Sequence, residues 1–374
     1  MRRPSLFGGL NGLATALLGA CVGLSAVAIG QGITTQTLDS LAVDLNPGLG
    51  PNDAAAPSVI QPDTAAHAST LLPANQSLTV GPVSALQVRP NVYMLTAGGA
   101  NFALLTGPQG TVVVDSGGSD CPAVVMAVQQ VIQGPIRYVI ETSADADRVA
   151  CIGAIVAVSR QFGYMDRAVH SDGKAPVIAH QNVLLRLSQG SGADSTPTDA
   201  FTRPAASFAV NGQGIQALWM PAAHSDGDAI VMLRQADVIV TGNIFDVTRF
   251  PVIDVEHGGS IQGEINALNL LVEQLTIPPA PRWQGWYGTL IIPGRGHLCD
   301  QADVLNYRDM LTIVRDRIAA LMDQKMSLAQ VQAADPTRGY AARFGASSGS
   351  WTTRDFVAAV YKSLQAERRP GNKG

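Results

Sequence analysis

Charge is scarce in this 374-residue chain: Asp, Glu, Lys and Arg make up only 14% of it. The formal net charge is −4, and no run of Lys and Arg is interleaved with aromatic residues. Without such a basic footprint there is nothing to hold a phosphate backbone, so nucleic-acid binding is set aside. Cysteine is scarce too, with four residues and no Cys-x-x-Cys pair, which excludes a thiolate zinc knuckle. Cys121, Cys151 and Cys299 do not form the spacing of a disulfide framework. One pair could bond in an oxidising compartment, but buried free thiols are the expected state. Cys151 lies among apolar neighbours, where a thiol is inert. No strand-turn-helix nucleophile elbow is expected at any serine. Gly98-Gly99 and Gly117-Gly118 precede no phosphate-binding helix signature, so nucleotide binding has no support.

Hydrophobic residues, in contrast, make up 46% of the chain, enough to bury a large core. Met1-Arg2-Arg3 carries two positive charges into an apolar run at residues 6–29. This reads as an export signal, with an uncleaved anchor as the alternative because the run is long enough to span a bilayer. Leu18-Gly19-Ala20-Cys21 resembles a lipobox, although the apolar run continues beyond Cys21. A periplasmic or extracellular location is expected, with membrane attachment through the N-terminus as one form. Residues 31–82 are rich in Ala, Pro, Thr, Asn and Asp and read as a flexible linker. A folded domain is expected over 83–366, followed by a tail at 367–374.

Within that domain, residues 92–95, 101–105 and 111–115 are short β-branched or apolar runs separated by Gly-containing turns, which predicts a meander. Asp120 and Pro122 open a helix at 121–132. Strands at 136–140 and 177–179 and helices at 149–162 and 181–187 follow. The pattern of a hairpin ending in a polar residue and Gly recurs at 229–233 and 238–241, a weak internal repeat. Ser260 and Asp300 cap amphipathic helices at 261–275 and 301–324, with a strand at 289–292 between them. A capping box at Ser327 and a last helix at 353–365 complete a C-terminal part read as structural.

The chemistry-bearing stretch follows the 136–140 strand, where Ser143, Asp145 and Asp147 alternate and Arg148 comes next. Alternate side chains entering a loop can converge on one small volume. The spacing resembles the zinc motif HxHxDH of the metallo-β-lactamase superfamily. Four further segments match that family's anchors in order: 111–118, Ala223-His224-Ser225-Asp226-Gly227-Asp228, Thr241-Gly242-Asn243-Ile244-Phe245, and Ile292-Pro293-Gly294-Arg295-Gly296. The resemblance implies an α/β fold, a four-layer αββα sandwich. It also implies a hydrolase of β-lactamase or esterase type in which a metal-held water attacks a carbonyl.

On that resemblance, Ser143 and Asp145 take the first two His places, Asp147 keeps the Asp, and Arg148 replaces the third His. His224 is a ligand, Asn243 stands for a bridging Asp, and Arg295 for the last His. The family's cofactor is zinc. Here the set leaves none, or a single divalent metal held by Asp145, Asp147 and His224. The catalytic candidates are then Asp147, Asn243 and Arg295, with Ser143 and Arg148 in the cleft. Guanidinium groups stay protonated and offer no lone pair, so a dizinc centre is not expected. A second reading is a non-catalytic paralogue, in which Arg148 and Arg295 clamp an anionic small molecule or a partner. In it the two Arg side chains also satisfy Asp145 and Asp147. Asp226 and Asp228 read as turn formers around Gly227, His180 as a helix cap, His257 as a group near the cleft mouth and His297 as a surface residue.

Overall fold

The computed structural model describes residues 77–118, 120–132, 134–159, 173–190, 195–278 and 288–368. The expected export segment, Cys21, His67, His170, the linker through residue 76 and the tail from 369 lie outside the described residues. Among the described residues, no helix is long and apolar enough to cross a membrane.

Five antiparallel strands open the fold: β1 (Ser77–Val80), β2 (Val83–Arg89), β3 (Val92–Ala97), β4 (Ala100–Leu105) and β5 (Thr111–Val114). Ser77 pairs with Leu86 and Val80 with Val83, so the sheet already starts ahead of the boundary expected at residue 83. Helix α1 (Cys121–Val131) leads to β6 (Ile136–Ile140), and α2 (Ala146–Val149) with α3 (Ile152–Ser159) precede β7 (Val177–His180). After α4 (Gln181–Ser188) and β8 (Asp199–Phe201), one sheet is complete in the order β1 to β8, its last three strands joined in parallel.

The second sheet runs β9 (Ala205–Val210), β10 (Gln213–Trp219), β11 (Ala229–Leu233) and β12 (Val238–Val240), all antiparallel. Helix α5 (Ile261–Leu270) and a π turn (Leu271–Leu275) intervene before β13 (Leu290–Ile292), which pairs in parallel with β12. Helices α6 (Gln301–Asp323), α7 (Leu328–Ala333), α8 (Ala341–Phe344) and α9 (Thr353–Glu367) close the chain.

Three apolar layers hold these parts together. Val114, Ile140, Val231 and Val240 belong to the layer between the two sheets. Phe102 and Val139 pack under α1 and α3 on one outer side. Ile239 and Ile291 pack under α5, α6 and α9 on the other. The architecture is the αββα sandwich expected from the sequence. Strands β4 and β5 are buried on both faces, which is why they read as continuous apolar runs without alternation.

The helix ends follow local chemistry. Asp120 accepts from Ala123 N at 3.2 Å and Ser260 from Gly263 N at 2.9 Å. Asp300 with Asp303, and Thr352 with Asp355, form capping boxes, each meeting backbone N–H groups that a helix start leaves unpaired.

One expectation is corrected here. Cys121 and Cys151 are joined in a disulfide, with Cα atoms 5.0 Å apart across 30 residues of sequence. The fold seats the first residue of α1 beside the turn between α2 and α3, a proximity that spacing alone cannot disclose. Cys299 is free and buried, as expected.

Candidate functional site

The loops that leave β6, β10, β12 and β13 meet at one end of the sandwich, and the polar residues singled out in the sequence sit on them. Their close approach depends on glycine. Gly242 has φ +53°, and a Cβ there would strike Thr142; a Cβ on Gly294 would strike the Gly242 carbonyl. Both positions tolerate only a missing side chain.

Two linked clusters result. In the first, Asp147 Oδ2 accepts from Arg295 Nη2 at 2.8 Å and from Arg148 Nη2 at 3.4 Å, while Asp147 Oδ1 accepts from Asn243 Nδ2 at 3.3 Å. In the second, His224 Nε2 lies 3.1 Å from Asp145 Oδ2, and His224 Nδ1 lies 3.3 Å from Asp228 Oδ1. Asn243 joins them, because its Nδ2 also donates to Asp145 Oδ2 at 2.5 Å. That amide must point its NH2 group at the two carboxylates, since its oxygen would face like charge there. Ser143 Oγ adds a contact of 3.4 Å to the same oxygen of Asp145.

The electrostatics follow from burial and pairing. Burial opposes a charge on His224, but Asp228 and Asp145 outweigh it and raise the ring to about 10, so the imidazole is protonated at neutral pH. Burial also opposes charge on Asp147, yet Arg148 and Arg295 hold its carboxyl well below the ordinary range. Asp115 is buried and raised to about 6 by desolvation, against the pull of Arg148 and two donors from Thr142. Burial pushes Glu264, near His224 and Asp228, far above the usual carboxylate range.

Several sequence expectations need correction at this point. Arg148 is fully buried. Its Nη1 donates to Asn101 O at 2.8 Å, its Nη2 to Gly294 O at 3.0 Å, and it faces Asp115 at 3.6 Å. With its polar edge committed to the fold, it cannot clamp a ligand. Arg295 is partly exposed but already pairs with Asp147, so the two Arg side chains are not an anion clamp. Asp228 is a buried partner of His224 and accepts from Ser225 N, which makes it more than a turn former.

Asp145, Asp147 and His224 are all in the cleft, but they do not converge as three ligands. Among the described residues, the His/Cys/Asp/Glu trio whose ligand atoms lie within 4.8 Å of one another is His297, Cys299 and Asp303. The cleft's donor set does not fit a zinc centre. Two positions carry guanidinium, a third presents an amide N–H, and the one imidazole is protonated between two carboxylates. Each of these groups donates hydrogen bonds where a metal requires lone pairs.

Beside this network lies a cleft of about 530 Å³. Asp145, Asp147, Asp246, Asp254, Glu256 and Asp355 line it, against His224, Arg249 and Lys362. Val252, Ile253, Ala358, Ala359 and Trp351 supply an apolar wall. Trp351, Asp355 and Lys362 belong to the C-terminal part read as structural from the sequence, and nothing in their spacing pointed to the cleft. His180 caps α4, accepting from Asn182 N at 3.4 Å, as expected. Gly345-Ala346-Ser347-Ser348-Gly349 has the spacing of a nucleophile elbow. It follows α8, where such an elbow needs a strand, and Ser347 is exposed.

No protein-family profile and no curated protein matches this chain. Solved structures do. A double mutant of the sec-alkyl sulfatase PisA1 aligns with a TM-score of 0.56 at 15% identity over 77% of this chain and 51% of that one. The stereoselective inverting sec-alkylsulfatase Pisa1 from Pseudomonas sp. aligns with a TM-score of 0.52 at 15% identity over the same shares. A metallo-β-lactamase from Pontibacter korlensis aligns with a TM-score of 0.48 at 16% identity over 62% of this chain and 99% of that one. The chain spans about half the length of the two alkylsulfatases. At such identities the likeness is one of fold alone: the chain shares the αββα architecture of the two alkylsulfatase structures.

Proposed function

We propose that this chain is an exported binding protein on a hydrolase-type fold, whose cleft takes a small organic cation and performs no metal-assisted hydrolysis. The observation that carries the reading is the state of Asp145 and Asp147. Both are satisfied by Asn243, Arg295, Arg148 and His224, donors that the fold itself supplies. A metal entering there would have to displace paired guanidinium groups and a protonated imidazole, and would find too few lone pairs to replace its hydration shell.

The ligand class follows from the lining. Asp145, Asp147, Asp246 and Asp254 are already paired, respectively with His224, with Arg148 and Arg295, with Arg249 and with His257. This leaves Glu256 and Asp355 against Lys362, a small negative excess that favours positive charge. Trp351 and the aliphatic wall suit the apolar part of an ammonium compound. An alkyl sulfate, the class named for the neighbouring structures, is an anion and meets the wrong field here. Export is supported by the charged and apolar N-terminal segment and by the Cys121–Cys151 bond, because disulfides persist in oxidising compartments.

Calorimetric titration with benzyltrimethylammonium and with a secondary alkyl sulfate, each with zinc or with chelator, tests the reading. The ammonium ion is expected to bind, more weakly in Glu256→Gln and Trp351→Ala, with no effect of chelator. Zinc-dependent release of sulfate that disappears in Asp145→Asn would overturn it.

A further inference from the structure

A second cluster lies on the loop between β13 and α6, outside the cleft. His297, Cys299 and Asp303 bring an imidazole nitrogen, a sulfur and a carboxylate oxygen within 4.8 Å of one another. Two of the three are fixed by the backbone. Cys299 N donates to Ile291 O at 2.9 Å and Ile291 N to Cys299 O at 2.8 Å, pinning Cys299 against β13. Asp303 sits in the first turn of α6, where its Oδ2 accepts from Asp300 N at 3.2 Å. His297 is exposed, so its ring can rotate toward the other two and gives an ion a path from solvent.

From this arrangement we propose that His297, Cys299 and Asp303 form a zinc site separate from the cleft, with water completing the coordination. An N, S, O set is the ligation that zinc accepts, with bonds of about 2.0–2.3 Å. Donors held on such bonds stand at most about 4–4.6 Å apart, so a small turn of His297 closes the site. Binding deprotonates the thiol: Cys299–SH and Zn²⁺ give a Cys299–S–Zn bond, and the proton leaves to solvent. Asp300 adds negative charge nearby and Arg343 positive charge, and with thiolate and Asp303 the local balance stays negative.

The site has a structural consequence. The same loop carries Gly294, whose carbonyl accepts from Arg148 and from Asn101 N, and Arg295, which pairs with Asp147. Zinc would therefore brace the loop whose Arg295 holds Asp147, a residue of the cleft lining. The inference does not depend on what the cleft binds.

Cobalt and zinc titration of the full chain, carrying Cys21→Ser to remove the other thiol, tests the proposal. One equivalent of Co²⁺ is expected to produce a thiolate-to-cobalt charge-transfer absorption and to be displaced by Zn²⁺. His297→Ala, an exposed change that leaves the fold intact, is expected to weaken zinc binding by at least about tenfold. Cys299→Ser is expected to remove the absorption, and Asp145→Asn to leave it unchanged. Absence of the absorption in the parent, or a bound equivalent that survives both His297→Ala and Cys299→Ser, would overturn the site. Metal lost instead in Asp145→Asn would place the ion in the cleft and count against the binding-protein reading as well.

Discussion

Replacing Arg148 by Met separates a structural guanidinium from a ligand clamp. The Met side chain keeps most of the apolar stem, so little cavity is created. What is lost is the charge facing Asp115 at 3.6 Å and Asp147 at 3.4 Å, and the donors to Asn101 O and Gly294 O. Removing one partner of a buried ion pair costs about 3–5 kcal/mol, and the lost donor to the Asn101 carbonyl adds about 1 kcal/mol, while Gly294 O keeps its bond from Asn101 N. The variant should therefore lose about 5 kcal/mol, a large share of a typical total of about 5–15 kcal/mol.

The loss depends on pH. Asp115 is already raised to about 6, and without Arg148 it rises further. A group with a raised folded pKa contributes stability below its unfolded value that disappears as pH climbs through the folded value. The variant's deficit should thus grow from about pH 6 upward, by at most about 1.4 kcal/mol per pH unit. Urea unfolding of both proteins near pH 5.5 and pH 8 measures this as a lowered midpoint with unchanged slope. Adding Asp115→Asn to Arg148→Met should recover part of the loss at the higher pH. A deficit below about 1 kcal/mol at pH 8, or equal deficits at both pH values, would refute the buried-pair account. A stable variant that had lost affinity for an anion would restore the clamp.

His224, raised to about 10, stabilises the fold fully below its ordinary value of 6.5. That contribution fades as pH climbs toward 10, so unfolding free energy should fall over this window by a few kcal/mol. His224→Gln should flatten the slope, and the ring's NMR shifts should report an imidazolium at pH 8. Reduction of Cys121–Cys151, or Cys151→Ala, frees a loop of 30 residues and should cost about 3–4 kcal/mol, read as a lower thermal midpoint under reducing conditions. Asn243→Asp puts a third carboxylate against Asp145 and Asp147, where the amide now stands at 2.5 and 3.3 Å. It should destabilise the protein, and added zinc should leave the loss unchanged in a melting assay, because Arg148, Arg295 and His224 still occupy the carboxylates.

The fold was readable because its signals are local. Turn glycines and β-branched runs mark β3 to β5, and caps at Asp120, Ser260 and Asp300 mark helices whose chemistry is complete within four residues. Strands β8 and β9 left no such mark. Ala205–Val210 is a half-exposed edge strand whose run is mostly Ala and Ser, with only Phe208 and Val210 as strong strand formers to betray it. In the site, the order of the loops was readable and the partners of the charges were not. An Arg in a polar loop reads as solvated, and only the folded chain shows Arg148 enclosed by Asn101, Asp115 and Gly294. The cleft wall from Trp351 to Lys362 was missed for a related reason. Asp355 caps its own helix through Thr352, and that local role fully accounts for it in the sequence while hiding its second place in the lining.

The charged residues of the site, taken together, conserve charge balance. Asp115, Asp145, Asp147 and Asp228 form a carboxylate-rich knot that pairs with Arg148, Arg295 and His224. Carboxylates gathered this closely need compensating positive charge, and a bound divalent ion or fixed cations can provide it. On the reading proposed here, the two guanidinium groups and the imidazolium supply it permanently, and Asn243 fits because an amide donor adds no negative charge. Restoring one ligand therefore works against the rest: a lone Asn243→Asp adds repulsion, and Arg295→His removes a cation that Asp147 needs. Zinc affinity in the cleft should appear only when several of these positions change together. Zinc affinity that rose stepwise with each single change would show that the pairs do not act as one unit.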